Sequence, residues 1–215
     1  MGGMWKHIDS TCLLQNISIF MHHDLRVHYL KLVLKEVGYP SPREKQPGFE
    51  TLLQIMVSQQ LSTKAAAAIW KKLVACFTEG ITAKNIQQAT AESLRSCGFS
   101  RRKVEYAKDL SDRVVNDNFD LLFTNQKDTD EVIKDLCKIR GVGRWTAEVY
   151  AMFALGRLDI YPAKDLALQV AIQRYAGMKD RPTEKEVQRI SLKWSPYQTA
   201  AALLMWKYYG STTLD

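Results

Sequence analysis

Two glycines separated by one residue, Gly141-Val142-Gly143, stand between two amphipathic stretches, and they constrain the chain more than any other feature. A connection that short turns the two helices sharply back on each other. Glycine permits the turn and lets a ligand approach the backbone with no Cβ in the way. The helix starting after Gly143 offers unpaired main-chain N–H groups and the positive end of its dipole. Such amides suit a phosphate oxygen, so the turn reads as a contact to nucleic-acid backbone and not to bases. Taken alone, a GxG turn is more often a plain connection between helices, and the surrounding residues have to decide.

Helical punctuation runs through the rest of the sequence, with almost no strand signal. Asp24 caps a helix through Val37 that places Leu25, Tyr29, Leu32 and Val33 on one face and ends at Gly38. Residues 38–48, with three prolines and two glycines, form a linker. A helix follows over about Phe49 to Gln60, and Ser62 caps the next, which runs to about Phe77. Thr82 and Thr90 cap two short helices, and Ser100 opens a long charged one ending near Asn116. Asp128 with Glu131, and Thr183 with Glu186, have capping-box spacing and open helices over 131–138 and toward Trp194. Further helices cover about 144–155 and 165–176, and Pro196 suits the first turn of the last. The expected fold is all-α, with about ten or eleven helices on short connections.

Composition narrows the class. A chain of 215 residues that is 46% hydrophobic makes one soluble domain, or two small lobes, with a core that needs no disulfides. Thirty Lys and Arg against 23 Asp and Glu give a net charge of +7. That balance favours a polyanionic partner without separating nucleic acid from an anionic membrane surface. Cys12, Cys76, Cys97 and Cys137 are scattered with no CxxC pair, so they read as four lone thiols in an intracellular protein. The longest apolar runs, Val149–Leu155 and Ala200–Trp206, fall far short of the ~20 residues a bilayer needs. Cys12–Met21 is interrupted by Gln15, Asn16 and Ser18, a poor signal-peptide core, and Lys6 stands where a myristoylation motif wants Ser or Thr. The expectation is an intracellular protein with no membrane partner, in the cytoplasm or nucleoid of a prokaryote or the nucleus of a eukaryote.

The decisive stretch is Leu136–Arg174, LCKIRGVGRWTAEVYAMFALGRLDIYPAKDLALQVAIQR. Its LxxIxGVGxWTA pattern, followed after about fifteen residues by PxxDLAL, resembles the helix–hairpin–helix DNA glycosylases. Met56–Trp70 and Trp194–Trp206 extend the likeness to most of the chain from about residue 48. The resemblance implies two helical lobes with an active-site cleft between them, together one catalytic core over 1–215. Lobe A is expected over about 1–45 plus 148–215, and lobe B over about 46–147, including the hairpin. The hairpin then binds DNA phosphate through Gly141 and Gly143, with Arg144, Thr146, Lys164, Ser62 and Lys64 as further contacts. The Arg101-Arg102-Lys103 run reads instead as a solvated face. No cofactor is implied beyond a Na+ or K+ on hairpin carbonyls, whose ligands the sequence does not name.

Two features choose the branch. Trp145 stands where strand-nicking members commonly carry a lysine, and no four-cysteine cluster signature follows. The GRWTA form is similar to the alkylation-repair branch, 3-methyladenine DNA glycosylase II, in a compact version without its extra N-terminal domain. The implied reaction is hydrolysis of the N-glycosidic bond of an alkylated purine, flipped out of double-stranded DNA by a monomeric enzyme. Breaking that bond puts positive charge on the sugar, which a nearby carboxylate stabilises. Asp165 is the matched residue. Spacing alone makes it a helix N-cap, and the two roles are compatible. Asp159 reads as structural.

The remaining site residues follow from the same likeness. Trp145 and Trp206 match aromatic positions of the base pocket, with Tyr150 and Tyr161 added by proximity. Aromatic faces hold a cationic base by cation–π attraction, and the alternative is that these rings pack the core. Val149 and Leu166 occupy positions where some relatives carry tyrosine. Gln60, with Leu61 second, aligns with the side chain that fills the gap left by the flipped base; the alternative is a polar turn capped by Ser62. Three rivals stay open: a bifunctional glycosylase/lyase on oxidised bases, a non-enzymatic hairpin module, and a helical interaction scaffold.

Overall fold

The computed structural model describes residues 28–41, 45–123 and 128–211. Among the described residues there are eleven α-helices and no strand. In chain order they are α1 (His28–Val37), α2 (Phe49–Ser58), α3 (Thr63–Cys76), α4 (Ala83–Gln88), α5 (Ala91–Ser96) and α6 (Arg101–Val115). Then come α7 (Thr129–Leu136), α8 (Arg144–Phe153), α9 (Leu166–Tyr175), α10 (Glu184–Ser191) and α11 (Gln198–Ser211), with a 3-10 turn at Leu192–Trp194. The cap assigned to Asp24, together with Cys12, Leu25 and the Tyr29 side chain, lies outside the described residues.

Local capping explains where most of these helices begin. Ser62, Thr82, Thr90, Ser100, Asp128, Asp165 and Thr183 each accept, through the side chain, the N–H three residues on. Thr183 and Glu186 complete a reciprocal box. Each such cap is worth ~1 kcal/mol and fixes a start without help from the rest of the chain. Other sequence expectations shift. The helix from Phe49 stops at Ser58, two residues short of Gln60, and Pro196 precedes α11 instead of entering its first turn. In α1 the buried stripe is Leu30 and Val33, three residues apart, which turns Leu32 outward to 52% exposure. Cys76 and Cys97 are not isolated: their sulfurs lie 3.3 Å apart, and burial beside Cys76 pushes the Cys97 thiol up to about 11.

The chain divides into two compact units. One is Lys45–Leu155, built around α2, whose Leu52, Leu53, Ile55, Met56 and Val57 are buried as it packs on α3, α6 and α8. The other joins the described residues before it to those from Gly156 onward. There α11 packs on both α1 and α9 and buries every residue from Thr199 to Met205, an almost all-round apolar helix. Trp194 is buried with its ring 5.5 Å from that of Tyr161 and 5.8 Å from that of Tyr175. Among the described residues no helix is long and apolar enough to cross a membrane.

The sequence expectation drew a lobe boundary after residue 147; the unit instead runs to Leu155. The reason is a set of main-chain anchors. The Lys45 N–H donates to the Phe153 carbonyl at 2.9 Å. The Tyr150 hydroxyl accepts the Gly48 N–H at 2.7 Å and donates to the Leu121 carbonyl at 2.8 Å. Tyr150 is 0% exposed. That corrects its assignment to a base pocket: both hydrogen-bonding directions of its hydroxyl are spent on the backbone, and its ring lies in the core. Burial drives its hydroxyl far above the ordinary phenol range, so it stays neutral.

Tyr150→Phe leaves the half-buried Gly48 N–H and the buried Leu121 carbonyl without this partner. We expect a loss of about 1–3 kcal/mol in urea unfolding with base-release activity per folded molecule unchanged. An activity change without a stability change would return Tyr150 to the pocket.

Candidate functional site

The hairpin is held from below by four side chains of the same unit. Gly141 has φ +85°, and a Cβ placed there would stand 2.3 Å from the Tyr106 ring. The turn closes through the Val142 N–H on the Ile139 carbonyl at 3.0 Å. Asp109 accepts the Arg140 main-chain N–H at 3.0 Å, and Glu105 takes the Arg140 guanidinium at 2.8 Å. Gln59 donates its side-chain amide to the Gly141 carbonyl at 2.9 Å and to the Thr146 hydroxyl at 2.8 Å.

Above the turn the arrangement differs. Gly143 is the N-cap of α8 and provides no side-chain cap, like Gly48 before α2 and unlike the Ser, Thr and Asp caps of α3 to α7, α9 and α10. Nothing lies within 4 Å of where its Cβ would be. The first amides of α8 therefore meet no capping side chain, and the dipole end faces open space, the arrangement an anion needs. Arg144 is half-exposed and donates through Nε to the buried Glu148 carboxylate at 2.8 Å. That pair fixes the arm while leaving the terminal guanidinium nitrogens of Arg144 for a phosphate. Thr146 corrects an expectation: its side chain is buried and its hydroxyl is engaged by Gln59, so only its main-chain N–H can serve a phosphate.

The loop after α2 carries the expected wedge. Gln60 takes a left-handed conformation, φ +57°, which costs a residue with a Cβ about 1–2 kcal/mol. It is exposed, and Leu61 beside it is 39% exposed. Ser62 and Lys64 are also exposed, with the Ser62 hydroxyl capping α3 through the Ala65 N–H. Lys103 is not part of a solvated face, as its sequence run had indicated. Its ammonium donates to the Val57 and Gln59 carbonyls at the end of α2, and burial lowers its pKa.

The carboxylate lies in the second unit. The Asp165 N–H turns back onto the Pro162 carbonyl at 2.9 Å, and Gln169 holds the Ala163 carbonyl at the same distance. Asp165 Oδ1 accepts both the Leu168 N–H, at 3.0 Å, and the indole N–H of Trp206, at 3.1 Å. One oxygen thus caps α9 and orients a tryptophan, and the residue is only half-buried. Leu166 next to it is 55% exposed. Lys164 is exposed, 3.7 Å from Glu184. Asp159 is structural, accepting from Ser195 at 2.6 Å and Gln198 at 2.9 Å.

Not every pocket residue keeps its role. Tyr161 is buried against Trp194, and its hydroxyl has no hydrogen-bond partner among the described residues. Burial first, then Asp165 and Tyr175, raises its pKa well above the phenol range. It packs the core beneath Asp165's turn and does not form an open wall. Trp145 and Trp206 remain half-buried. Sequence reasoning missed Gln59, Tyr106, Asp109 and Lys103, whose partners are distant in the chain. Among the described residues no three His, Cys, Asp or Glu side chains are grouped to hold a metal ion.

Residues 53–196 match the family described as HhH-GPD superfamily base excision DNA repair protein. DNA-3-methyladenine glycosylase 1 of Schizosaccharomyces pombe is 33% identical over 186 residues, 82% of this chain and 80% of that protein. The alkylbase DNA glycosidase-like protein mag2 of the same yeast is 31% identical, over 81% of this chain and 85% of its own. The solved structure of the S. pombe 3-methyladenine DNA glycosylase in complex with abasic DNA superposes with a TM-score of 0.80 at 31% identity. It covers 90% of this chain and 95% of that one.

The two hairpin glycines should respond differently to alanine. Gly141→Ala combines a left-handed backbone with a clash against Tyr106, and should lose more than about 2 kcal/mol in urea unfolding. Gly143→Ala has room and an ordinary backbone, so it should lose less than about 1 kcal/mol while weakening DNA binding in fluorescence anisotropy. Equal stability losses would contradict this description of the turn.

Proposed function

This chain belongs to the HhH-GPD superfamily of base excision DNA repair proteins, and from that premise we propose that it is a monofunctional DNA glycosylase for alkylated purines. The observation that carries the reading is Asp165: a half-buried carboxylate held by the start of α9 and by the Trp206 indole. The relatives' names, 3-methyladenine glycosylase and alkylbase glycosidase-like protein, support the substrate class.

The chemistry follows from the residues. As the N-glycosidic bond lengthens, the sugar gains positive charge, and a carboxylate fixed in one rotamer stabilises it without reorganising. The same carboxylate orients the attacking water. An alkylated purine carries its own positive charge, so it leaves without much protonation, and the faces of Trp145 and Trp206 select for that charge. Trp145 has no amine to attack the sugar, so the reaction ends at an abasic site with the strand intact.

The uncapped start of α8, Arg144 and Lys164 bind DNA phosphate, and part of the +7 net charge serves the same end. The Gln60–Leu61 turn fills the space of the flipped base. The hairpin's main-chain carbonyls, including that of Gly141, which retains a lone pair beside Gln59, are the hard oxygen donors a Na+ or K+ takes. Such an ion would supply positive charge next to a phosphate.

Asp165→Asn separates the two roles of this residue. Asparagine caps as well as aspartate, so urea unfolding should change by less than about 1 kcal/mol. Release of 3-methyladenine from methylated DNA, followed by chromatography, should fall by about 10²–10³-fold. Unchanged release would remove the catalytic assignment, and strand nicking by the wild-type protein would favour the lyase rival.

A further inference from the structure

We propose that Gln59 is a positioning residue that couples phosphate binding at the hairpin to insertion of the Gln60–Leu61 turn; this rests on the glycosylase reading above. Both hydrogens of its side-chain amide are placed on the phosphate-binding element, one on the Gly141 carbonyl at 2.9 Å, the other on the Thr146 hydroxyl at 2.8 Å. Gly141 is in the turn itself, and Thr146 is the third residue of the helix whose first amides are uncapped. Gln59 therefore grips the hairpin on either side of the anion position. All three residues involved belong to the unit Lys45–Leu155.

The other end of the coupling is main-chain. The Gln59 N–H donates to the Met56 carbonyl, and its own carbonyl accepts from Lys103 at 3.1 Å. The next residue is Gln60, left-handed at φ +57°, and the Leu61 N–H returns to the Ser58 carbonyl at 3.3 Å. A strained conformation persists only where its surroundings over-determine it. Here the surroundings are Lys103 on one side and, through Gln59, the hairpin on the other. The Gln60–Leu61 turn is thus held ready before DNA arrives, and its position is referenced to the atoms that seat the phosphate. With the amide removed, the hairpin still presents its amides to DNA, but the wedge is no longer indexed to them.

The coupling separates binding from flipping, and full-length variants test it. Gln59→Leu deletes both donors at similar size. DNA affinity by anisotropy should stay within about threefold of wild type, while kcat for 3-methyladenine release falls about 10- to 100-fold at little-changed KM. The fluorescence rise of 2-aminopurine placed at the flipping position should fall in parallel. Gln59→Glu gives a second readout. At pH 7 its carboxylate faces the Gly141 carbonyl, acceptor against acceptor, whereas its protonated form can donate. Its kcat relative to wild type at the same pH should rise as pH falls from 7 to 5, which a general loss of structure would not do. Wild-type kcat and 2-aminopurine response in both variants, with the wild type active, overturns the coupling alone. Equal losses in affinity and kcat, with no recovery of Gln59→Glu at low pH, also overturns it. A wild type that neither flips nor releases the base overturns the glycosylase reading and this inference with it.

Discussion

The contact between Gly141 and Tyr106 sets the terms for the rest of the unit Lys45–Leu155. The ring occupies the volume that any side chain at 141 would need, so the turn lies directly on α6. Once it is there, Asp109 and Glu105 on the same helix can reach Arg140, and Gln59 from the end of α2 can reach the Gly141 carbonyl. The underside of the turn is consumed by protein contacts and the upper side is left bare. This asymmetry, more than the presence of two glycines, is what the phosphate-site proposal rests on: the braces hold the turn from one side, and Gly143 puts no side-chain cap on the start of α8.

Asp165 follows a different economy of contacts. Its cap of α9 and its hydrogen bond from Trp206 converge on one oxygen. A structural and a chemical role usually compete for a carboxylate's lone pairs. Concentrating the scaffold bonds on Oδ1 means that the helix start defines the rotamer of the charged group. The residues around it reinforce this, since Tyr161 and Trp194 pack beneath the turn and Gln169 ties down Ala163.

What could be read from the sequence was what is encoded locally. N-caps act over three residues, so Ser62, Thr82, Thr90, Ser100, Asp128, Asp165 and Thr183 were visible as helix starts, and seven side chains perform that role. The hairpin was visible because glycine spacing is a local signal. Gln59 was not, because its partners lie 82 and 87 residues away and no pattern links them. Lys103 looked like part of a basic run because its carbonyl partners come from another helix. Tyr150 was misplaced for a related reason. Proximity to a motif in sequence says nothing about which side of the helix faces the core, and its hydroxyl reaches Gly48, 102 residues back. Helix ends are also less legible than starts: α2 ends at Ser58 because Gln59 swings to ψ 132° and Gln60 follows in a left-handed conformation, and nothing in glutamine as a residue type announces such a turn.

The division of the chain has a consequence for the order in which the protein is made. Lys45–Leu155 is contiguous, so the turn, its braces and the Gln60 loop are complete once residue 155 has left the ribosome. The unit bearing Asp165 is not contiguous. It needs α1 against α11, and Lys207 reaches the Tyr39 carbonyl across 168 residues. Closing so long a loop waits for synthesis of the final helix, and domains complete in the order their last residue emerges. The nascent chain thus completes the hairpin and its braces first, and the unit that carries Asp165 only after the helix that closes it.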